Sequence, residues 1–242
     1  MDELAVTAAR IDLAAAFRLA ARMDLHEGVC NHFSLMLPDG SILLNRYGLH
    51  WGEVSASNLL ALDAEGRILA GAGEFEKTAF YIHSRIHLAH PRASCVLHTH
   101  MPYATSLTLL EGGRLEMVEQ NALRFYDDIA YDDTYNGLVV DNAEGDRLAR
   151  VLGAKRVLFL ANHGVIVVGP SVAEAFDALY YLERACRLQV LARSMHGKLR
   201  QVRPEVVRET YRLLCADASK YAAAHFSALK RLLEREERDY SR

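Results

Sequence analysis

In LAVTAARIDLAAAFRLAARM (residues 4–23) the apolar positions recur at helical spacing, which predicts an amphipathic first helix. The pattern then shortens. VCNHFSLML (29–37), SILL (41–44), LLALD (59–63) and ILA read as strands, set apart by the turn signals PDGS and AEGR (64–67). Helical periodicity returns in KTAFYIHSRIHLAH (77–90), which Pro91 stops, and RASCVLHTH follows as a strand. MPYATSLTLLEG predicts a further helix, ended by Gly112 and Gly113.

Residues 114–145 are mixed and rich in Tyr, Asp and Asn, and their pattern orders no element. KRVLFLANHGVIVVG (155–169) predicts two buried strands around an Asn-His-Gly turn. Ser171 and Glu174 have capping-box spacing ahead of a long helix that ends near Gly197. Helical stretches at 204–217 and 219–237 close the chain. The charged, amphipathic HFSALKRLLEREERDYSR is expected either to pack on a neighbouring subunit or to stay solvated. With no repeat, low-complexity tract or linker, the expectation is one α/β domain over residues 1–242. Its core spans about 5–195 and its helical extension about 204–237.

Composition narrows the function classes. A chain of 242 residues, 51% apolar and 24% charged, can bury a large core. A formal charge of −3 supplies no electrostatic reason to expect nucleic acid or an anionic membrane as partner. No apolar run approaches the length of a membrane span, and the N-terminus lacks a signal-peptide layout. Cys30, Cys95, Cys186 and Cys215 have neither CxxC spacing nor scaffold density, so free thiols in a reducing cytoplasm are expected.

Histidine changes the picture. Five of the 11 histidines (His83, His87, His90, His98 and His100) fall within residues 83–100. Residues i and i+2 of a strand share a face, so His98 and His100 make a two-ligand platform for a divalent metal. Two polar residues at a strand end would look the same. His163, set between apolar runs and followed by a glycine, suggests a third imidazole and a site with a position left open, the catalytic rather than the structural pattern.

HTHMPYAT, NHGVIVVG and the AEAF…LERACRLQVLA helix together resemble the class II aldolase and adducin family. CNHFS is similar to that family's Asn-x-x-Ser stretch, here Asn31 and Ser34, and the IH…IH…HP rhythm of 82–91 to its helix before the metal strand. The resemblance implies a three-layer α/β/α fold with a mixed, largely antiparallel sheet. It also implies His98, His100 and His163 as ligands of a divalent metal, zinc foremost, with manganese, iron and cobalt as the other candidates. A homotetramer with active sites between neighbouring subunits is implied as well.

The sugar-phosphate aldolases of the family start the helix Ser-Ser-Glu, four residues before a histidine. With His83 in the histidine position, Ala79 stands where the acid/base Glu belongs, and Lys77 and Thr78 replace the serines. The anion-binding turn is altered to NRYG (45–48). Glu74 or Glu76 is the nearest replacement carboxylate, and Glu76 is taken as the candidate. Arg46 and Lys77 are cations placed where the family binds its substrate's anion; ordinary solvated surface is the alternative for both. His83 is expected to face the site and handle protons, His87 to pack on the helix face. His32, His50, Trp51 and His90 read as loop residues, with His50 and Trp51 also weak pocket candidates. Tyr126, Tyr131 and Tyr135 lie in the region where members of that family donate a tyrosine hydroxyl across a subunit interface, and Tyr126 is carried as the catalytic candidate.

These features favour a metal-dependent carbon–carbon lyase, decarboxylase or aldolase, acting on a small hydroxy- or oxo-carboxylate through a metal-stabilised enolate. Decarboxylation suffers least from loss of the Glu, because no substrate hydroxyl has to be deprotonated. The alternatives are a mononuclear iron oxygenase on the same scaffold and a non-catalytic, adducin-like interaction module.

Overall fold

Alternation along the strands decides which side chains reach which layer, and the computed structural model, which describes residues 3–242, shows two different layers. Eight strands form one sheet in the order β4-β3-β2-β1-β5-β8-β7-β6. They are β1 (His32–Met36), β2 (Ile42–Leu44), β3 (Leu60–Leu62), β4 (Ile68–Ala70), β5 (Cys95–Thr99), β6 (Ile129–Asp132), β7 (Val157–Leu160) and β8 (Gly164–Gly169). Among the described residues only β6 and β7 pair in parallel; the other strand pairings are antiparallel.

One face of the sheet carries Phe33, Leu97, Val165 and Val167. These pack against α1 (Glu3–Arg22), α3 (Pro102–Thr108), α5 (Val172–Ser194) and α7 (Ala218–Glu236) through Phe17, Leu107, Phe176 and Phe226. Residues of the other parity, Val96, Ile166 and Val168, pack against Ile82 and Ile86 of α2 (Lys77–Ala89) and Leu148 and Leu152 of α4 (Asn142–Leu152). The architecture is the three-layer α/β/α fold expected. His32, Ser34 and His98 share the α2 side by the same parity, which places them beneath that helix.

Four sequence readings change. His32 is a buried β1 residue directly opposite His98, not a loop residue. Trp51 is fully buried in the main core against Phe17 and Phe33, outside the lining of the cavity that holds the histidines. The helix after Met101 ends at Thr108 rather than at the glycine pair, because the Thr108 carbonyl accepts the Asn162 N–H and so ties the helix end to the His163 turn. The charged C-terminus docks on its own chain: buried Arg18 of α1 binds Glu237 and Asp239, Tyr240 is buried, and the Arg242 carbonyl accepts the Ser57 N–H.

The unordered stretch contains α4. Its Gly145 reads as a helix breaker, yet a Cβ there would lie 2.2 Å from the Tyr81 carbonyl oxygen, so glycine is what lets α4 cross α2 closely. Asp141 caps the helix by accepting the Glu144 N–H. Ser171 accepts the Glu174 N–H at the start of α5, as the capping spacing predicts, while the Glu174 carboxylate meets the hydroxyls of Ser171 and Ser219. After α5, α6 (Pro204–Ala216) precedes α7. Among the described residues no helix is long and apolar enough to cross a membrane.

Candidate metal centre and its cavity

Strand β5 delivers His98 near its end and His100 just beyond it, while the tight turn between β7 and β8 delivers His163. One nitrogen from each ring lies within 4.8 Å of the others, within reach of a single cation. The turn depends on Asn162 in the left-handed region (φ 55°) and on Gly164, where a Cβ would stand 2.5 Å from the Thr99 carbonyl oxygen and 2.7 Å from the His100 ring.

Hydrogen bonds fix which nitrogens are free. The Val165 carbonyl can only accept, so His98 Nδ1, 3.0 Å away, carries the proton and Nε2 keeps its lone pair. Glu27 Oε2 accepts from His100 Nδ1 at 2.5 Å, and the His100 Nε2 left over is buried with no hydrogen-bond partner among the described residues. A buried, unpartnered imidazole nitrogen is costly unless a Lewis acid or donor takes its lone pair, and this donor set suits a divalent cation. Asn31, itself in the left-handed region (φ 71°), accepts the His100 backbone N–H through Oδ1, leaving its Nδ2 buried and unpartnered.

Electrostatics keep His98 and His163 neutral. Burial, then the neighbouring His163, His32 and His100, hold His98 well below the usual imidazole range. Burial and His100 push His163 down to about 4. Neutral imidazole is the ligating form.

The three rings sit in a cavity of about 610 Å³. Asn31, Glu76 and Lys77 of the sequence-predicted set line it, as do Glu74 and Tyr135. Val29, Tyr47, Phe75 and Leu138 give it apolar walls. Among the described residues Lys77 is the only Lys or Arg on the wall. Arg46 is exposed and runs past Gly73, outside the lining. Tyr126 packs against Tyr211, with ring centroids 5.9 Å apart, and also stands outside it. Tyr131 accepts the Leu115 N–H, whereas Tyr135 lies 6.3 Å from the His163 ring.

His83 and Ser34 lie one layer deeper than expected. His83 Nε2 is 2.7 Å from His32 Nδ1, and His32, not His83, reaches the cavity. His87 is more than helix packing: it bonds Ser34 and the Ala93 carbonyl. Ala79 is buried among Leu44, Leu60, Leu62 and Phe80, an apolar setting with no place for a carboxylate. His90 stays outside the strands and helices, bonded to the Lys155 carbonyl, and exposed His50 pairs with His26. Sequence reasoning missed Glu27 and the strand position of His32; for His32, its place two residues before Ser34 in an apolar run was the available signal.

A three-imidazole cluster on an α/β/α sheet, open to a cavity, has the donor set of a divalent-metal site with a coordination position left open. Residues 11–190 match the Class II Aldolase and Adducin N-terminal domain, and the chain belongs to that family. It is 34% identical to a protein of Caulobacter vibrioides described as a putative aldolase class 2 protein, over 84% of this chain and 80% of the relative. The solved aldolase II superfamily protein of Pseudomonas syringae superposes with a TM-score of 0.91 at 34% identity, over 98% of this chain and 96% of the other. L-fuculose 1-phosphate aldolase from Glaciozyma antarctica superposes with a TM-score of 0.84 at 25% identity, over 97% and 92%.

Proposed function

We propose that this chain is a metal-dependent carbon–carbon lyase acting on a small hydroxy- or oxo-carboxylate. The observation that carries the reading is the convergence of His98, His100 and His163 on one point of a roomy cavity, with the Nε2 of His98 and of His100 held as free acceptors. His98, His100 and His163 would hold the cation, zinc foremost, which when bound supplies Lewis acidity toward substrate oxygens that gain negative charge as the bond breaks.

The rest is done by side chains. Lys77, at the start of α2, offers one positive charge to a substrate carboxylate, and Asn31 Nδ2, in the same lining, offers an unused donor. One lysine is a sparse cradle for a phosphate dianion, and Arg46 stays outside, so a carboxylate suits this wall better. Of the two carboxylates lining the cavity, Glu74 and Glu76, it is Glu76, beside His32, that is the candidate to exchange a proton with substrate. Val29, Tyr47, Phe75 and Leu138 give the cavity largely apolar walls around the developing charge. With Ala79 in an apolar cluster, decarboxylation is the favoured branch.

The same reading makes the protein a cytoplasmic homotetramer whose cavity opens near a subunit interface. Tyr135 and Leu138, exposed while lining the cavity, support an interface there. Light scattering tests the assembly.

Purified protein loaded with zinc, manganese, cobalt or iron, then incubated with a panel of hydroxy- and oxo-acids, should release carbon dioxide or an aldehyde. Silence across the panel with stoichiometric metal bound would defeat the lyase reading. Oxygen uptake by the iron form would favour an oxygenase, and failure to bind metal a non-catalytic, adducin-like role.

A further inference from the structure

Behind the cavity a line of buried polar groups runs from His32 into the space under α2. His32 Nδ1 lies 2.7 Å from His83 Nε2, His83 Nδ1 2.5 Å from Ser34 Oγ, Ser34 Oγ 2.7 Å from His87 Nε2, and His87 Nδ1 2.5 Å from the Ala93 carbonyl oxygen. All four side chains are at most 4% exposed.

The last group settles every proton in the line. A carbonyl oxygen only accepts, so His87 carries its proton on Nδ1. A buried neutral ring then accepts at Nε2, so the Ser34 hydroxyl donates to His87. With its one proton spent, Ser34 accepts from His83 Nδ1–H. His83 Nε2 therefore accepts from His32 Nδ1–H, and His32 Nε2 is left as a lone pair at the cavity.

That lone pair faces Glu76 Oε2 at 3.6 Å, while the other Glu76 oxygen receives the Thr78 hydroxyl. Two acceptors face each other at a distance too long for a hydrogen bond between them. The slot calls for a donor.

We propose that the Ala93–His87–Ser34–His83 line is a tautomer lock, holding His32 Nε2 with Glu76 Oε2 as a two-acceptor site for a substrate hydroxyl. The inference rests on the lyase reading only in taking this cavity as the substrate site, and it narrows the substrate class to hydroxy-carboxylates. His32 would touch the substrate; His83, Ser34 and His87 are positioning residues acting through it.

Nitrogen NMR of the zinc-loaded protein with isotope-labelled histidine, near neutral pH, tests the lock without any turnover. His32, His83 and His87 should each carry the proton on Nδ1. A proton on His32 Nε2, or on both of its nitrogens, overturns the proposal. Ser34→Ala should leave His83 and His32 mixing both tautomers, and Ser34→Thr, which keeps the hydroxyl, should restore one. Unmixed tautomers in Ser34→Ala overturn the lock, and if that variant fails to fold, the unmutated protein still decides.

The acceptor site is read by adding glycolate or acetate until the His163 signals stop moving. Glycolate should shift the His32 Nε2 resonance and acetate should leave it in place. Equal shifts, or none with glycolate, overturn it. Because none of these readouts depends on catalysis, a protein inactive on every acid tried would sink the lyase reading and leave this result standing.

Discussion

His100 Nδ1 lies 2.5 Å from a carboxylate oxygen of Glu27, a residue 73 positions earlier that sits exposed in the loop between α1 and β1. The contact sets the His100 tautomer, orients its ring and makes the opposite nitrogen more basic. Glu27→Ala should weaken zinc binding about 10–100-fold while leaving thermal stability of the metal-free protein almost unchanged, since the side chain contributes little to the core. Competition against a chelator measures the affinity. Unaltered zinc affinity would show that the contact orients nothing.

Gly164 gives a second route to the same ring. A Cβ there meets the Thr99 carbonyl oxygen at 2.5 Å and the His100 ring at 2.7 Å, and backbone cannot give way as a flexible side-chain tip can. Gly164→Ala should cost about 1–3 kcal/mol of stability and displace His100 enough to lose zinc. Gly197→Ala, at a position with open space, is the control and should do neither. Urea unfolding and metal content check both variants.

Much of this layout could be read along the chain. Strand alternation, the capping spacing at Ser171 and the stop at Pro91 are local signals, and β1 to β5, β7, β8 and α5 follow them. The 98/100 pair was visible because period-two spacing is also local. What escaped is set by long-range approach. Gly145 looks like a helix breaker until α2 is seen against it. Glu27 finds His100 through folding alone, and His32 becomes a site residue only through its register with His98. The family resemblance set His83 facing the site, but a likeness carried by one helix has no means of knowing that β1 inserts the His32 ring between His83 and the cavity.

Among the described residues Lys77 is the one Lys or Arg lining the cavity, and the lyase reading proposed above would make it the anchor for a substrate carboxylate. An interaction present equally in ground and transition states raises KM when removed and leaves kcat nearly alone. Lys77→Met should therefore raise KM for an active carboxylate about tenfold or more, the worth of a charge-assisted hydrogen bond, with kcat within about twofold. Glu76→Gln should do the reverse and lower kcat if Glu76 exchanges the proton. A fall in kcat with unchanged KM in Lys77→Met would place the lysine in the chemistry instead.

Acid should unfold the protein earlier than its carboxylates alone would dictate. Burial holds His32, His83 and His98 well below the ordinary imidazole value of 6.5, and pushes His87 and His163 down to about 4. The unfolded chain then binds protons that the folded chain refuses, so this stability is complete above the unfolded value of 6.5 and is lost as pH falls toward 4. For His87, 3% exposed, the shift from 6.5 to about 4 is worth about 3 kcal/mol. Glu183 works the other way. Burial raises its carboxyl from 4.5 to about 7, against the pull of the Tyr103 and Ala104 N–H groups, so its contribution declines as pH rises through that window. One carboxyl opposes five rings, and the rings win. The urea midpoint of the metal-free protein should fall steadily from pH 6.5 toward 4, and His87→Gln, which keeps a polar partner for Ser34, should flatten that slope by one proton. A midpoint that rises on acidification would mean the buried rings are charged in the folded state, and with that the neutral form inferred for His98 and His163 would fail as well.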